Sequence, residues 1–222
     1  MNPVPVIAID GPSASGKGTI AQLVAENLGY RYLDSGALYR LVALAAQKSQ
    51  IASDSTEELA DLAARLDARF EGGEIWLAGE RVTDQIRAEA VGEGASRVAA
   101  LPGVRTALLQ RQRAYRTGTG LVADGRDMGS VVFPDARLKV FLTAGAEARA
   151  ERRYKQLKQK GIPANIAVLL SELRERDVRD ASRSVAPLAQ TPDARLLDST
   201  SLGIQEVAEL ILGWYREVAT KH

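Results

Sequence analysis

The stretch that decides the fold is Ala8–Thr19, AIDGPSASGKGT. It nearly matches the phosphate-binding loop pattern, in which Gly and four further residues precede Gly-Lys and then Ser or Thr. The last position differs, because Gly18 stands where a hydroxyl is expected and Thr19 follows one residue later. The sequence therefore contains either a damaged match or a different kind of phosphate loop.

The flanks of this stretch favour a phosphate loop. Val4–Asp10 is a short run rich in Val and Ile, which predicts a buried strand. Thr19–Asn27 has apolar residues at helical spacing, and Gly29 is placed to end that helix. Strand, glycine loop and helix in this order are the required context. A flexible turn that carries an incidental lysine is the alternative.

The loop residues suit a triphosphate. Backbone N–H groups would surround the anion, and the helix N-terminus would add positive potential. Lys17 would place a point charge on the terminal phosphates, and Thr19 could supply a hydroxyl to a phosphate oxygen or to Mg²⁺. The predicted binding residues are Gly11, Pro12, Ser13, Ala14, Ser15, Gly16, Lys17, Gly18 and Thr19.

Composition excludes several kinds of chemistry. The 222 residues include no Cys, and the single His is His222, so a thiolate nucleophile, a catalytic triad and a His-ligated metal are not expected. A net charge of +1 gives no global attraction to nucleic acid or membranes. The apolar run Val4–Ile9 is too short for a signal peptide. We expect a cytoplasmic monomer without nucleic-acid or membrane partners.

Strand-like and helix-like segments alternate along the chain. This alternation predicts a parallel sheet covered by helices on both faces, with ligands beyond the carboxyl ends of the strands. Leu66–Arg87, with two glycine turns, is an exception and is predicted to be a small β insert. Besides Val4–Asp10, the predicted strands are Arg31–Leu33, Gly120–Ala123, Leu138–Leu142 and Arg195–Leu197. The further predicted helices are Ala37–Gln47, Val104–Arg116, Ala146–Gln159, Ile166–Arg183 and Ile204–Val218.

The rival classes of loop-containing protein lack their other motifs. A GTPase should carry Asp-x-x-Gly and Asn-Lys-x-Asp, and neither pattern occurs in the sequence. An ATP-driven motor would be expected to be larger. A small kinase remains.

Three clusters indicate where an acceptor binds. LDSGALYR (Leu33–Arg40) opens a helix, and ADGRDMG (Ala123–Gly129) follows a buried strand. In LLSELRERDVRDASR (Leu169–Arg183), helical spacing places Arg176, Asp180 and Arg183 on the same side as two core leucines. Buried charges need partners, so this stripe indicates a cleft for an anionic ligand. The alternatives are a capped helix, a structural ion pair and a solvated helix end.

These clusters suggest two anion sites. The glycine loop would take a triphosphate, and Arg40, Arg126 and Arg183 would take a monophosphate. Bringing the two together opposes like charges, so convergent guanidinium groups and Mg²⁺ are what phosphoryl transfer needs.

At these residues the chain resembles the bacterial cytidylate kinases along essentially its whole length. The resemblance is carried by GRDMG with VVFPDA (Val131–Ala136), by the RERDVRDASR run (Arg174–Arg183) and by LLDST (Leu196–Thr200). In nucleoside monophosphate kinases the loop commonly ends Gly-Lys-Gly-Thr, which implies that Gly18 is the family's variant. Val178 departs from the family pattern, since relatives often carry an acid there.

The resemblance implies a fold and a reaction. The fold is α/β of the P-loop NTPase type: a five-stranded parallel sheet covered by helices on both faces, in a single nucleoside monophosphate kinase domain, 1–222. A monophosphate-binding arm would span about 37–112, including the β insert at 66–87, and a short lid about 153–165. The reaction would transfer the γ-phosphate of ATP to CMP or dCMP with Mg²⁺, giving CDP or dCDP and ADP.

Residue roles follow by the same resemblance. Ser96, Arg105 and Asp127 would read the cytosine, and Arg176 and Asp180 would hold the ribose. The further CMP-binding residues would be Ser35, Gly36, Tyr39, Arg40, Arg126 and Arg183; Lys17, Arg126 and Arg183 would be catalytic. Thr19 would contribute to Mg²⁺ binding, with phosphates and water supplying most of the ligands.

Basic residues on the helix before the lid are candidates for contact with the γ-phosphate of ATP: Arg149, Arg152 and Arg153, of which Arg153 is the predicted ATP ligand. A solvated basic face is the alternative for this run. Two other functions stay open at this point. The chain could be a kinase of another small acceptor, such as uridylate or shikimate, or a nucleotide-binding regulatory module without transfer activity.

Overall fold

The strand before the glycine loop is the central strand of a five-stranded sheet in the computed structural model, which describes residues 3–220. All five of its residues are buried, which explains why the strand is apolar without alternation. The strands, numbered along the chain, are β1 (Val6–Asp10), β2 (Arg31–Asp34), β3 (Ala68–Glu71), β4 (Glu74–Leu77), β5 (Glu80–Arg81), β6 (Leu121–Gly125), β7 (Leu138–Thr143) and β8 (Arg195–Asp198).

The large sheet has the order β2-β6-β1-β7-β8. β1 pairs in parallel with β6 and β7, and β7 pairs in parallel with β8. Asp10 lies opposite Gly125, and Thr143 lies opposite Asp198, so the polar ends of these strands share one edge. The predicted fold class is confirmed, and this edge is where ligands of such sheets bind.

The predicted helices are all present, and they begin and end within a few residues of their predicted bounds. The helices of the structure are α1 (Lys17–Leu28), α2 (Ser35–Lys48), α3 (Thr56–Ala64), α4 (Glu89–Val98), α5 (Pro102–Arg113), α6 (Ala146–Gln159), α7 (Ile166–Ala181) and α8 (Ile204–Ala219). α6 matches its prediction at both ends. α3 and α4 were not predicted. Single turns of 3₁₀ and π-helix occupy Gln85–Arg87 and Met128–Val132.

The core on one face of the large sheet is formed by α1 and α8. Ile20 and Val24 of α1 and Ile211 of α8 pack with Ile7 and Ile9 of β1, and all five are buried. On the opposite face of the strands, the side chains of Val6, Ala8, Leu121 and Ala123 are also fully buried. Both faces of the central strands are therefore shielded from water, as expected for a parallel sheet.

The segment that broke the alternation forms its own small sheet. β3, β4 and β5 pair antiparallel, and the turn between β3 and β4 contains Gly72 and Gly73, both with positive φ. The β insert predicted at 66–87 is confirmed as a three-stranded sheet.

Small residues let the unpredicted α4 lie close to α2. A Cβ at Gly92 would lie 2.8 Å from Nη2 of Arg40, and one at Gly94 would lie 3.2 Å from Cβ of Ala43. The two glycines lower the intrinsic helix propensity of α4 but let it approach α2 closely. Tertiary packing therefore decides this helix.

The chain divides into two compact units. The first joins Met1–Leu33 to Tyr115–His222, and the second is Asp34–Ala114. The functional division into core, arm and lid stays a prediction. Between residues 3 and 220, the structure contains no helix that combines the length and apolar character needed to cross a membrane.

Candidate active site

Two glycines shape the loop after β1. A Cβ at Gly11 would lie 2.0 Å from the carbonyl oxygen of Leu142, so only glycine lets the chain leave β1 this close to β7. Gly16 has a φ of 92°, in the left-handed region that favours glycine, and α1 begins at the next residue. The first glycine is thus required by packing and the second by backbone conformation.

The start of α1 has the properties of an anion site. No side chain caps the helix at Gly16, and its first turn carries no acidic residue. The Oγ of Ser15 is buried and has no hydrogen-bond partner among the described residues. Nζ of Lys17 donates to the carbonyl of Pro12 at 3.1 Å, which holds the ammonium group over the loop. A helix N-terminus without a side-chain cap and a lysine at one point suit a polyphosphate.

The structure does not itself require glycine at the irregular end of the motif. A Cβ at Gly18 would meet only Oη of Tyr32, at an ordinary contact distance of 3.5 Å, and Thr19 is exposed. Packing within the protein therefore does not require glycine at position 18, and the backbone there is open to close approach by a ligand. The Tyr32 hydroxyl donates to Asp124 at 2.8 Å and supplies a hydroxyl beside the loop.

A buried ion cluster joins the loop to the acceptor segments of the same unit. Nε of Arg126 donates to Asp180 at 2.7 Å, and its Nη2 donates to Oγ of Ser13 at 2.7 Å. Arg183 donates to the second oxygen of Asp180. Asp180 and Arg183 expose only 1% and 5% of their side chains. Asp180 lies on α7 as predicted, whereas Arg183 lies two residues beyond the end of the helix, which is shorter than the predicted Ile166–Arg183.

The charges in this cluster keep Asp180 ionised. Burial alone would raise the pKa of Asp180, but Arg126 and Arg183 outweigh burial, so that the pKa lies below its ordinary value. The stability that this ionised group contributes is present above its unfolded pKa and is lost as the pH falls through the lowered folded pKa.

Two arginines of α6 hold the backbone of the loop. Arg149 is 4% exposed, donates to the carbonyl of Ser13 at 3.1 Å and forms a bidentate pair with Asp177 at 3.1 and 2.6 Å. Arg152 donates to the carbonyl of Ser15 at 3.1 Å and to Ser199. The solvated-face alternative is therefore wrong for Arg149.

Arg153 and Arg176, also predicted as ligands, are half-buried. Arg153 lies near the middle of α6 and donates to Gln156 at 3.3 Å. Arg176 lies on α7, and its charge lowers the pKa of Asp180. The structure thus places Arg176 with the buried cluster.

Asp10, at the end of β1, is a buried carboxylate that the sequence did not single out as a ligand or catalyst. Its two oxygens accept from the backbone N–H groups of Met128 and Gly129, each at 2.8 Å. Burial raises the pKa of Asp10 to about 6, although these two hydrogen bonds oppose the shift. The contribution of Asp10 to folding stability is fully present at a pH below the ordinary pKa of an aspartate and is lost as the pH rises through about 6. At neutral pH the charged carboxylate therefore lowers the stability of the folded protein.

Asp127, the predicted base-reading carboxylate, is buried in the first unit, and the other predicted acceptor residues not yet described lie in the second unit. Arg105 is buried, donates to the carbonyl of Ala99 at 3.1 Å and lies 5.7 Å from the ring centre of Tyr39. Oγ of Ser96 is buried without a partner among the described residues. Arg40 donates to the carbonyls of Ile86 and Ala88 at 2.6 and 3.3 Å. Of the last two, Ser35 is buried and Gly36 exposed at the start of α2.

The residues near the loop could supply only a small part of the ligands of a metal ion. Residues 3–220 hold no group of three or more His, Cys, Asp or Glu side chains that could bind a metal. The exposed hydroxyl of Thr19 offers one neutral oxygen, and Mg²⁺ takes six. Phosphate and water oxygens would therefore complete the shell.

Comparison with known proteins decides the family. Residues 7–217 match the family described as Cytidylate kinase. The chain belongs to the cytidylate kinase family. A cytidylate kinase from Stutzerimonas stutzeri is 60% identical over 218 residues, covering 96% of this chain and 95% of the relative. One from Chromobacterium violaceum is 58% identical over 214 residues, covering 96% of each.

Solved structures of other kinases show more distant likeness to this family member. A gluconokinase from Sinorhizobium meliloti aligns with a TM-score of 0.48 and 15% identity, covering 100% of this chain and 97% of its own. A shikimate kinase from Acinetobacter baumannii, in complex with shikimate, aligns with a TM-score of 0.47 and 16% identity, covering 96% and 94%.

Proposed function

We propose that the protein transfers the γ-phosphate of ATP to CMP or dCMP, giving ADP and CDP or dCDP. Membership of the cytidylate kinase family supports this activity. The observation that carries it is the position of Arg126, which hydrogen-bonds both the glycine loop, at Ser13, and the buried carboxylate of α7, Asp180. A guanidinium group that contacts both the glycine loop and the Asp180–Arg183 pair is suited to phosphoryl transfer from a triphosphate to a monophosphate.

Phosphoryl transfer requires the protein to supply positive charge and to hold the two phosphates in position. A nucleoside monophosphate carries about −1.5 to −2 charges at pH 7, so it repels a triphosphate. Lys17 and the N–H groups of the loop would bind the donor phosphates, and Arg126 and Arg183 would neutralise the acceptor phosphate. An oxygen of that phosphate then attacks, so no side-chain nucleophile is needed. Orientation and electrostatic stabilisation supply the catalysis.

We include Mg²⁺ in the proposal as part of the ATP substrate. Bound to the phosphates, it would withdraw charge from the γ-phosphate during transfer. Thr19 is the side chain that we assign near it. The protein's own residues bind and orient the complex, and Arg149 and Arg152 keep the loop carbonyls in place while this happens.

The function is tested by measuring ADP release in a coupled assay with ATP, magnesium and a panel of acceptors. We expect rapid release with CMP and dCMP, slower release with UMP, and only background release with shikimate or without an acceptor. Equal rates with and without CMP would contradict the proposal. Tight ATP binding without transfer to any acceptor would favour a regulatory module.

Asp127→Asn is expected to reduce the preference for CMP over UMP. Cytosine presents an amino donor where uracil presents an acceptor, so a carboxylate favours the former, and an amide can also donate to the latter. We expect the ratio of kcat/KM values for CMP and UMP to fall by about tenfold or more.

The matched control is Asp135→Asn, which changes an exposed carboxylate paired with Arg116 and should leave the ratio unaltered. If the ratio is the same in the Asp127 variant and the wild type, Asp127 does not read the base.

A further inference from the structure

The backbone that follows Arg126 and Asp127 forms a rare type of helical turn. Asp127 is followed by one turn of π-helix, Met128–Val132, in which the N–H of Phe133 bonds to the carbonyl of Met128 at 2.7 Å. Such turns are rare and occur often at functional sites. Like any helix, this one begins with N–H groups that need acceptors from outside the turn.

The acceptor for this turn comes from the end of the neighbouring strand, β1. Asp127, directly before the turn, does not cap it with its side chain. Asp10 does so instead, with one carboxylate oxygen on the N–H of Met128 and the other on that of Gly129. The same strand end is tied to β6 a second time, because the N–H of Gly11 donates to the carbonyl of Gly125 at 3.3 Å.

We propose that Asp10 is a positioning residue for the acceptor side of the reaction: its carboxylate fixes the backbone that carries Arg126 and Asp127. This inference rests on the proposed function. Asp10 touches neither nucleotide in this proposal; it acts through the segment whose side chains hold the phosphate and read the base. Because Asp10 directly precedes the glycine loop, it also sets the distance between that loop and the acceptor segment.

The energetic cost of the Asp10 carboxylate supports a functional rather than a merely stabilising role. The carboxylate is buried, and keeping it charged at neutral pH opposes folding, since its pKa is raised to about 6. Groups retained at a cost to stability are common at functional sites. The charged groups around it are Arg126 and Asp127, and the aliphatic stem of Lys139 covers Gly129.

The first test is Asp10→Asn, which keeps the shape of the side chain. The amide has one acceptor oxygen, so its NH₂ group must face one of the two backbone donors. We expect kcat/KM for CMP to fall about 10- to 100-fold, with the CMP-to-UMP ratio also reduced, while KM for ATP changes less than about threefold. Removing the buried charge favours folding and the unsatisfied backbone donor opposes it, so we expect only a small change in melting temperature. Asp135→Asn serves as the matched control.

The second test approaches the same contact from the other partner. A Cβ at Gly129 would lie 3.1 Å from Cδ of Lys139 and 3.5 Å from an oxygen of Asp10, so Gly129→Ala should displace the turn without altering the carboxylate. We expect a smaller loss of the same kind, about two- to fivefold in kcat/KM for CMP. If the Asp10 variant does not fold, the CMP kinetics of the Gly129 variant test the positioning role of Asp10.

Amide hydrogen exchange at Met128 and Gly129 should be faster in both variants than in the wild type. Unchanged CMP kinetics would overturn the proposal, and so would an equal rise in KM for ATP, which would make Asp10 a support of the loop alone. A wild-type protein that does not phosphorylate CMP would instead refute the proposed function, and that outcome is visible before any variant is made.

Discussion

Lys17→Ala is expected to lower kcat by about 1,000-fold with both substrates saturating. The ammonium group is the one lysine charge that the loop itself carries, and it is held over the loop by the carbonyl of Pro12. Its charge would be most useful when negative charge builds on the transferred phosphoryl group. Steady-state assays with CMP and ATP measure the effect.

The variant should nevertheless fold. Lys17 is buried, and removing a buried ammonium group also removes its desolvation cost, so we expect little change in melting temperature. Lys48→Ala is the matched control, because Lys48 forms an exposed ion pair with Glu80 in the second unit. A Lys17 variant with near-normal turnover would refute the assignment of the loop.

Arg126→Met is expected to lower kcat/KM for CMP by about 100- to 1,000-fold. Methionine keeps much of the side-chain volume but removes the guanidinium group that reaches Ser13 and Asp180. The variant leaves Asp180 with the charge of Arg183 beside it, so we expect a moderate loss of stability as well. Fluorescence or calorimetric melting separates that loss from the kinetic one.

Arg195→Met provides the comparison, since Arg195 pairs with Glu217 near the surface and lies against Trp214. It should leave CMP kinetics unchanged. If the Arg126 variant loses affinity for ATP but not for CMP, then the guanidinium group serves the donor and the two-site proposal is wrong.

The sequence predicted the strands of the large sheet and the charge stripe of α7, because both depend on local periodicity. The order of the strands was not predicted, since apolar composition does not say which strand lies beside which. α3 was missed although Ser55 and Glu58, three residues apart, resemble a capping pattern. α4 was missed because its glycines are favourable only against α2.

The sequence singled out candidate ligands, which stay predictions, but not the residues that support them. Lys17 and Arg126 belong to sequence motifs whose residue types and spacing indicate phosphate binding. Asp177 and Ser199 were missed because their role depends on partners distant in the chain, Arg149 and Arg152. The π turn after Asp127 had no local signal either, because the carboxylate that caps it lies in the first strand.

The central place of β1 has a consequence for how the chain emerges from the ribosome. β1 is synthesised before its partners β6 and β7, which follow the whole of Asp34–Ala114 in the chain, so an apolar strand must wait unpaired while the intervening residues are made. The unit Asp34–Ala114 is continuous and can acquire its native contacts during that interval. The nascent chain should therefore depend on chaperones until Thr143 has left the exit tunnel, and stalled chains ending before β6 should aggregate.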